Sequence, residues 1–326
     1  MNIKILVTGS SGFIGSHLTE YLVKKGYSII AFDRYNNNNH YGWLENSIYK
    51  KKIKFILGDI RDYDSVNKAM KGCHSVMHLA ALIGIPYSYI SPTAYIKTNI
   101  EGTFNILESA KNLKLKQVII TSTSEVYGTA NTNRLKETDE LKAQSPYAAS
   151  KIAADQLSLS YYRSFGLPVK IIRPFNTFGP RQSARAVIPT IITQAITGKK
   201  IKIGNLSVTR DFLYVEDLCS AYEKIFKSKK LFGETVNVGV NSEISIKNLI
   251  SHISKVLKIK LEIIVEKKRV RPKKSEVLRL KCDNTKLSNI TKWKPKYKLD
   301  DGLKKLIDWL KKDNNIKNYK PENYNI

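Results

Sequence analysis

Four side chains in the middle of this sequence could together oxidise an alcohol and move protons beside it. Thr123 and Glu125 lie two residues apart, and Tyr147 and Lys151 follow four residues apart from each other. Residues four apart on a helix share one face, so the Lys151 ammonium could stabilise a Tyr147 phenolate. A phenolate of this kind can take a proton from a hydroxyl group. Glu125 adds a carboxylate that a simple oxidation does not need.

The elements that must position these residues are predicted by alternating patterns along the chain. Short apolar runs indicate strands, and helical periodicities between them indicate helices closed by Gly26 and Gly166. This rhythm predicts an α/β fold of the Rossmann type, a doubly wound parallel sheet, with a smaller mixed α/β lobe for the substrate. The predicted strands are 3–7, 29–32, 53–57, 76–79, 118–120 and 169–172, and the predicted helices include 147–165, 187–197, 215–227, 246–257 and 302–311.

The same pattern suggests how the chain is organised into domains. Residues 1–175 are predicted to form a dinucleotide-binding domain that carries the chemical residues, because the strand-helix alternation is regular there. Residues 176–312 are predicted to form the substrate lobe, which can interleave with the first domain. Residues 313–326 are polar and aperiodic, so we expect a loosely held tail.

Three glycines after the first predicted strand indicate a dinucleotide site. Gly9, Gly12 and Gly15 open the first helix, where glycines let the backbone approach a pyrophosphate at a positive helix terminus. The alternative is an ordinary tight turn. Phe13 and Ile14 complete the predicted cofactor segment.

Further cofactor contacts are expected where the following strands end. Asp33 could accept both hydroxyls of an adenosine ribose and would repel a 2′-phosphate, which favours NAD. Arg34 beside it could instead pair with such a phosphate. Five residues at the ends of the next two strands are also predicted to reach the cofactor: Asp59, Ile60, Leu79, Ala80 and Ala81. For the two alanines, packing is an equally good explanation.

Composition limits the kinds of partner and location. The 326 residues carry 55 Lys and Arg against 28 Asp and Glu, a formal charge of +27, which we interpret mainly as a solvated lysine surface and otherwise as a sign of an anionic substrate. No apolar run approaches the roughly 20 residues of a membrane span, and no signal peptide is recognisable, so a cytoplasmic protein is expected. Cys73, Cys219 and Cys282 are widely spaced, which predicts neither disulfides nor a metal site.

Together these motifs resemble the extended short-chain dehydrogenase/reductase family, from residue 1 to about Trp309. Within it the chain is most similar to nucleotide-sugar 4,6-dehydratases, particularly those acting on N-acetylglucosamine nucleotides on the way to legionaminic-type acids. The segments that carry the resemblance are STSEVYG at 122–128, SPY at 145–147, RPFNTFGPRQ at 173–182 and RDFLYVED at 210–217.

The resemblance implies a reaction and a role for each catalytic residue. Tyr147 would take the sugar 4-hydroxyl proton, Thr123 would orient that hydroxyl, and Lys151 would lower the tyrosine pKa and hold the nicotinamide ribose. Glu125 would remove the C5 proton so that the 6-hydroxyl leaves as water. NAD would be regenerated in each cycle, so it should stay tightly bound.

The resemblance also implies a set of substrate residues. Asn176 would bond the sugar nucleotide, Arg210 and Arg271 would hold the diphosphate and ribose, and Glu276 could accept from the ribose. Ser124 lies where many hexose dehydratases have an aspartate that protonates the leaving hydroxyl, which leaves the acid open. The remaining implied contacts are apolar or aromatic: Ile85, Tyr87 and Val187.

Other functions stay open at this point. A nucleotide-sugar 4-epimerase would share the cofactor site and the Tyr147/Lys151 pair, but it would not need Glu125. A non-enzymatic NAD sensor or nucleic-acid-binding protein is allowed by the basic charge, although no nucleic-acid-binding motif is present and we expect no such partner. By resemblance a homodimer is expected, formed by the helix that contains Tyr147 and a helix at 98–112.

Overall fold

A seven-stranded parallel sheet forms the centre of the molecule. The structure is a computed structural model that describes residues 3–321 and 323. The strand order is β11-β6-β5-β4-β1-β2-β3, and every neighbouring pair is parallel. The order reverses between β1 and β4, and ligands of such sheets bind at the carboxyl ends of the strands beside this point. The strands are β1 (Lys4–Thr8), β2 (Ser28–Arg34), β3 (Ile53–Gly58), β4 (Ser75–His78), β5 (Gln117–Thr121), β6 (Val169–Pro174), β7 (Asn176–Phe178), β8 (Lys200–Ile203), β9 (Thr209–Arg210), β10 (Phe212–Tyr214), β11 (Glu234–Val238), β12 (Ile244–Ser245) and β13 (Glu262–Val265).

Helices cover both faces of this sheet. Successive side chains of a strand point to opposite faces, so Ile5 and Val7 pack into one core layer while Leu6 packs into the other. The α-helices are α1 (Phe13–Lys24), α2 (Tyr63–Met70), α3 (Ile85–Ile90), α4 (Pro92–Tyr95), α5 (Gly102–Asn112), α6 (Pro146–Phe165), α7 (Val187–Gly198), α8 (Val215–Lys227), α9 (Ile246–Leu257), α10 (Thr285–Thr291) and α11 (Leu299–Lys311). A π-helical segment, Ile96–Glu101, precedes α5, and 3₁₀ turns occur at Gly42–Leu44, Lys50–Lys52, Ser124–Tyr127, Lys229–Leu231, Lys267–Arg269 and Lys312–Asn318.

The predicted fold class is confirmed, and the smaller mixed part consists of three two-stranded sheets. One strand from the second half, β11, returns to the main sheet beside β6. The main sheet therefore takes strands from both sides of the predicted boundary between residues 175 and 176. None of the helices among the described residues is both long enough and apolar enough to span a bilayer.

The start of the predicted loose tail is packed against the body. A 3₁₀ turn, Lys312–Asn318, follows α11, and the Tyr319 side chain is buried. Its hydroxyl donates to the carbonyl oxygen of Gln182 at 2.8 Å, and its ring packs edge-on against Trp309. The expectation of a loosely held segment is therefore wrong for this part, because a single aromatic residue in a polar stretch provides the anchor. Residues 322 and 324–326 lie outside the described part of the chain.

Candidate active site

The position of Tyr147 is set by the start of α6. The Ser145 hydroxyl accepts a hydrogen bond from the Ala148 backbone N–H at 3.1 Å, and Pro146 occupies the first turn, where its missing N–H costs nothing. Gly166 ends the helix in a left-handed conformation. Tyr147 therefore lies in the first turn at the carboxyl edge of the sheet, as the sequence predicts.

The Tyr147 side chain is buried against other aromatic and apolar groups. Ile85 and Tyr95 pack against it, and the Tyr95 and Tyr147 rings meet edge-on at 6.2 Å between centroids. Burial raises the pKa of Tyr147 well above its usual range, whereas a hydrogen bond with Thr123 lowers it. The nearby Glu125 charge raises it further. Burial and the Glu125 charge therefore favour the neutral phenol.

Lys151 is buried one turn along the same face of α6. Its ammonium donates to the main-chain carbonyl oxygen of Thr121 at 2.5 Å. Burial lowers the pKa of Lys151 to about 8, and the Asp155 carboxylate acts in the opposite direction. Lys151 thus joins the catalytic helix to the end of β5, while the sequence had predicted chiefly an effect on the tyrosine.

A buried ion pair behind Lys151 was not predicted from the sequence. Asp155 accepts from Arg173 at 3.0 and 3.1 Å and from the Ser122 hydroxyl at 2.8 Å. Arg173 also donates to the Tyr127 hydroxyl at 2.9 Å. The carboxylate lies four residues after Lys151, so a Tyr-Lys-Asp stripe at helical spacing was the available signal. This network joins α6 to β5 and β6, the two strands that end at the site.

Glu125 lies in the short turn Ser124–Tyr127 that follows β5. The Thr123 hydroxyl accepts from the Glu125 backbone N–H at 3.2 Å, which caps the turn. Ser124 is buried, whereas the Glu125 side chain is half-buried. Its charge influences the pKa values of both Tyr147 and Arg210, so the carboxylate is near the predicted redox residue and near a predicted phosphate ligand.

The glycine segment is shaped by close backbone contacts. A Cβ on Gly9, whose φ is +68°, would lie 2.8 Å from the Ala80 nitrogen, and one on Gly15 would lie 2.0 Å from the Gly9 carbonyl oxygen. Gly12 caps α1, which begins with Phe13 and Ile14. The Ser11 hydroxyl is buried and has no hydrogen-bond partner among the described residues. These features fit a backbone loop built to hold a pyrophosphate.

The predicted ribose ligand Asp33 is already hydrogen-bonded to the protein. Its carboxylate accepts from the Ser11 backbone N–H at 2.6 Å and the Arg34 N–H at 2.8 Å, while the Arg34 side chain is exposed. Asp59 instead pairs with Arg61, which lowers the pKa of Asp59 chiefly through their hydrogen bonds.

The other predicted cofactor contacts occupy the same edge of the sheet. The Thr8 hydroxyl accepts from the backbone N–H groups of Leu79 and Ala80 at 3.1 and 3.2 Å. Ile60 is buried against Gly102, and Ala81 is half-buried.

Two arginines share one carboxylate in the predicted phosphate site. Arg210 and Arg271 each lie 3.5 Å from the same oxygen of Glu276. Arg210 is buried, and burial lowers its pKa while Glu125 and Glu276 act in the opposite direction. Two cations around one carboxylate leave a net positive charge, which suits a diphosphate.

Asn176 has a buried polar atom that could bind a ligand. Its side-chain oxygen is buried and has no hydrogen-bond partner within the described part of the chain. Unpaired buried polar atoms are rare, so a ligand atom is a natural partner. Among the remaining predicted substrate residues, Val187 begins α7, Ile85 is buried in α3, and Tyr87 is exposed beside Tyr95.

The sequence matches one family model and several curated proteins. The model of the GDP-mannose 4,6-dehydratase family matches residues 6–306. The dTDP-D-glucose 4,6-dehydratase of Dictyostelium discoideum is 36% identical over 258 residues, covering 74% of this chain and 59% of that protein. A putative UDP-glucose 4-epimerase of Methanocaldococcus jannaschii is 32% identical and covers 95% of this chain and 99% of that protein.

Solved structures agree with the fold. The dTDP-glucose 4,6-dehydratase of Streptomyces venezuelae, crystallised with NAD, superimposes with a TM-score of 0.88 at 26% identity, covering 98% of this chain and 99% of that chain. The chain spans only 46% to 59% of the length of the first curated relatives that it matches. Because the family model covers most of its residues, the chain belongs to the GDP-mannose 4,6-dehydratase family.

Proposed function

We propose that this protein catalyses the NAD-dependent 4,6-dehydration of a nucleotide-linked hexose. The observation that carries the proposal is the place of Glu125 in the turn directly after Thr123. Its backbone N–H donates to the Thr123 hydroxyl, and its carboxylate is near enough to Tyr147 and Arg210 to influence the pKa of each. A sugar whose diphosphate is held at Arg210 and whose 4-hydroxyl is held at Tyr147 would have its next carbon near this carboxylate. An oxidoreductase without an elimination step has no use for a base there.

The cofactor residues fit NAD. The close approach of Gly9 to Ala80 and the unpaired Ser11 hydroxyl suit a pyrophosphate, and Asp33 suits an unphosphorylated ribose. When bound, NAD would supply a positive charge and a reversible hydride acceptor for the sugar carbons. Gly12, Phe13, Ile14, Gly15 and Ala81 would line its path, as would Asp59, Ile60 and Leu79.

The first proton transfer belongs to Tyr147. Its phenolate oxygen would take the proton of the sugar 4-hydroxyl. Thr123, whose hydrogen bond with Tyr147 lowers the tyrosine pKa, would orient that sugar hydroxyl. The Lys151 ammonium, held by Thr121, would stabilise the phenolate. Loss of this proton to Tyr147, together with loss of the C4 hydride to bound NAD, would leave a 4-keto sugar.

The second proton transfer belongs to Glu125. The ketone acidifies the C5 hydrogen, so the carboxylate would accept that proton as the C6–O bond breaks. Glu125 would then pass the proton to the departing hydroxyl, which leaves as water, because Ser124 is no acid. Hydride return to C6 and a proton at C5 complete the 4-keto-6-deoxy sugar, and no net oxidant is consumed.

The substrate we favour is UDP- or GDP-linked N-acetylglucosamine. Support comes from the sequence resemblance and from the apolar character of the segment around Ile85, which would contact the sugar. Arg210, Arg271 and Asn176 would hold the diphosphate side, with Glu276 toward the ribose and Val187 toward the nucleoside. The glucose substrates in the names of the relatives make glucose nucleotides the necessary comparison. We also propose a cytoplasmic location, which is the one expected from the sequence.

Mass spectrometry tests the proposal directly. Purified protein is incubated, without added NAD, with UDP-, GDP- and dTDP-linked glucose and N-acetylglucosamine. Loss of one water from one of these identifies the dehydratase and its nucleotide, and turnover without added NAD shows that the cofactor is retained and recycled. Unchanged mass for every substrate contradicts dehydration.

A 4-epimerase is the second candidate, favoured by the epimerase named among the relatives. It would use Thr123, Tyr147 and Lys151 and leave Glu125 without a role. A new stereoisomer of unchanged mass, detected by NMR, would identify it. The non-enzymatic alternatives gain no support from the relatives described above, which are named as enzymes.

We also propose that the protein is a homodimer. The π-helical segment with α5 and the end of α6 expose large apolar side chains, which suit a helical interface. They are Ile96, Phe104, Tyr162 and Phe165.

A further inference from the structure

Gln144 lies where three functional segments of the site meet. Its amide nitrogen donates to the carbonyl oxygens of Lys274 at 2.9 Å and Glu276 at 3.4 Å. Its amide oxygen accepts from the Thr129 backbone N–H at 2.5 Å. A backbone N–H on one side and carbonyl oxygens on the other fix the orientation of the amide, so both ends are used.

The first segment is the loop of the phosphate site. Residues 271–276 carry Arg271 and Glu276, and Ser275 between them donates through its hydroxyl to the main-chain carbonyl oxygen of Gln144 at 2.5 Å. The same hydroxyl lies 2.5 Å from that of Tyr89 in α3. The loop is therefore tied to Gln144 by both side chain and backbone.

The other two segments carry the chemistry. Thr129 follows Gly128, which ends the turn that contains Glu125 with a φ of +64°. A Cβ on Gly128 would lie 2.7 Å from the Gln144 amide oxygen, so the turn approaches closely. On its other side, Gln144 precedes the Ser145 cap of α6, and Tyr147 lies in the first turn of that helix.

We propose that Gln144 is a positioning residue that couples occupancy of the diphosphate site to the alignment of Glu125 and Tyr147. The inference rests on the proposed function, because it takes the 271–276 loop as the nucleotide end of the site. A diphosphate bound at Arg271 fixes the position of this loop. The hydrogen bonds of Gln144 then fix the positions of the Glu125 turn and of the start of α6. Binding energy from a part of the substrate that does not react is thereby used to orient the part that does.

Two substitutions distinguish the hydrogen bonds that the Gln144 side chain makes. Gln144→Ala removes the bond with Thr129 and the bonds with the loop carbonyls. Gln144→Glu keeps the acceptor for Thr129 and nearly the same volume but cannot donate to the loop carbonyls. Gln156→Ala makes the same change as Gln144→Ala on the exposed face of α6 and serves as the matched control. Thermal melting of each variant shows whether it is folded. If Gln144→Ala is not folded, Gln144→Glu alone serves for the test.

Kinetics and binding give the first readout. We expect both Gln144 variants to lower kcat by on the order of 10-fold to 100-fold while the Kd for UDP, GDP or dTDP changes by less than about 3-fold. Gln156→Ala should leave both values unchanged. An unchanged kcat, or a kcat that falls only together with nucleotide affinity, would overturn the positioning role.

Hydrogen exchange gives a second readout that does not require turnover. Whichever of UDP, GDP and dTDP binds most tightly to the wild-type protein should slow exchange both at 271–276 and at 125–129 and 145–151. In the Gln144 variants 271–276 should still be slowed but 125–129 should not. Segment 145–151 is not used for this comparison, because the Ser275 hydrogen bond to the Gln144 main-chain carbonyl oxygen remains in both variants.

The two readouts distinguish the two proposals. A wild-type protein that transforms no nucleotide sugar but shows the coupled protection contradicts the proposed function and supports the coupling. Protection of 125–129 that survives in both variants contradicts the coupling alone. Failure to bind any of the three nucleotides contradicts both.

Discussion

The ammonium of Lys151 lies 2.5 Å from the main-chain carbonyl oxygen of Thr121 and donates a hydrogen bond to it. Thr121 is the last residue of β5, and Thr123 lies two residues after it. This contact keeps the charge of Lys151 inside the site although burial lowers its pKa to about 8. The catalytic helix and the turn that carries Glu125 are thus both held at the carboxyl end of β5.

The first prediction concerns pH. A lysine is charged below its pKa, so with a pKa of about 8 Lys151 is mostly an ammonium at pH 7 and mostly an amine at pH 9. We expect kcat to fall as pH rises through about 8, because the amine no longer stabilises the Tyr147 phenolate. Measuring kcat from pH 6 to 10 tests this. In Lys151→Arg, which stays charged, any residual activity should lack that descending limb; a limb that persists would assign it to another group.

The second prediction separates oxidation from elimination. Glu125→Gln removes the C5 base while keeping size and much of the hydrogen bonding, so water loss should fall by about 100-fold to 10,000-fold. Oxidation at C4 should continue, and the absorbance of reduced nicotinamide should accumulate on the protein. The exposed Glu140→Gln, the same change away from the site, should behave as wild type. Equal loss of both steps would show that Glu125 serves the redox step instead.

The third prediction isolates the close approach at Gly9. Gly9 and Gly72 have nearly the same backbone φ, +68° and +71°, but a Cβ would clash with Ala80 only at Gly9. Gly72→Ala should cost about 1 kcal/mol of stability through backbone strain alone. Gly9→Ala should cost about 1–3 kcal/mol more and should also reduce the NAD that co-purifies. Denaturant unfolding and cofactor content check these values, and similar costs at both sites would mean that the loop can relax.

The fourth prediction concerns the ion pair behind the site. Asp155→Ala leaves the Arg173 guanidinium buried without its carboxylate, so the free energy of unfolding should fall by about 3–5 kcal/mol. The double variant Asp155→Leu/Arg173→Met should be less destabilised than Asp155→Ala, because no uncompensated charge remains. Urea unfolding measures the free energy of unfolding of both variants. If the double variant is less stable than Asp155→Ala, the pair contributes through its hydrogen bonds with Ser122 and Tyr127.

Local sequence signals predicted most of the fold. The helices 215–227 and 246–257 have the predicted bounds, and Gly166 ends α6 as expected, because periodicity and capping are local properties. The order of the strands and the return of β11 were not predicted. They depend on contacts between distant parts of the chain, which no local pattern encodes.

The site shows the same division. Tyr147, Lys151 and Thr123 were identifiable by spacing and resemblance, and the structure brings them together with Glu125. Gln144 and Tyr89 were not, because their partners lie 130 and 186 residues away and their residue types carry no motif. Asp59 was expected to face the cofactor, but Arg61, two residues on, forms a salt bridge with it.

The return of β11 to the sheet limits how this protein can be recombined with its relatives. β11 pairs with β6 over five residues, Glu234 through Val238, and covers that edge of the sheet. A hybrid that joins residues 1–175 of this chain to the second half of another family member would inherit a foreign edge strand. Such an unmatched edge invites pairing between molecules. Substrate specificity should therefore be transferable by grafting loops such as 271–276, and not by exchanging whole halves.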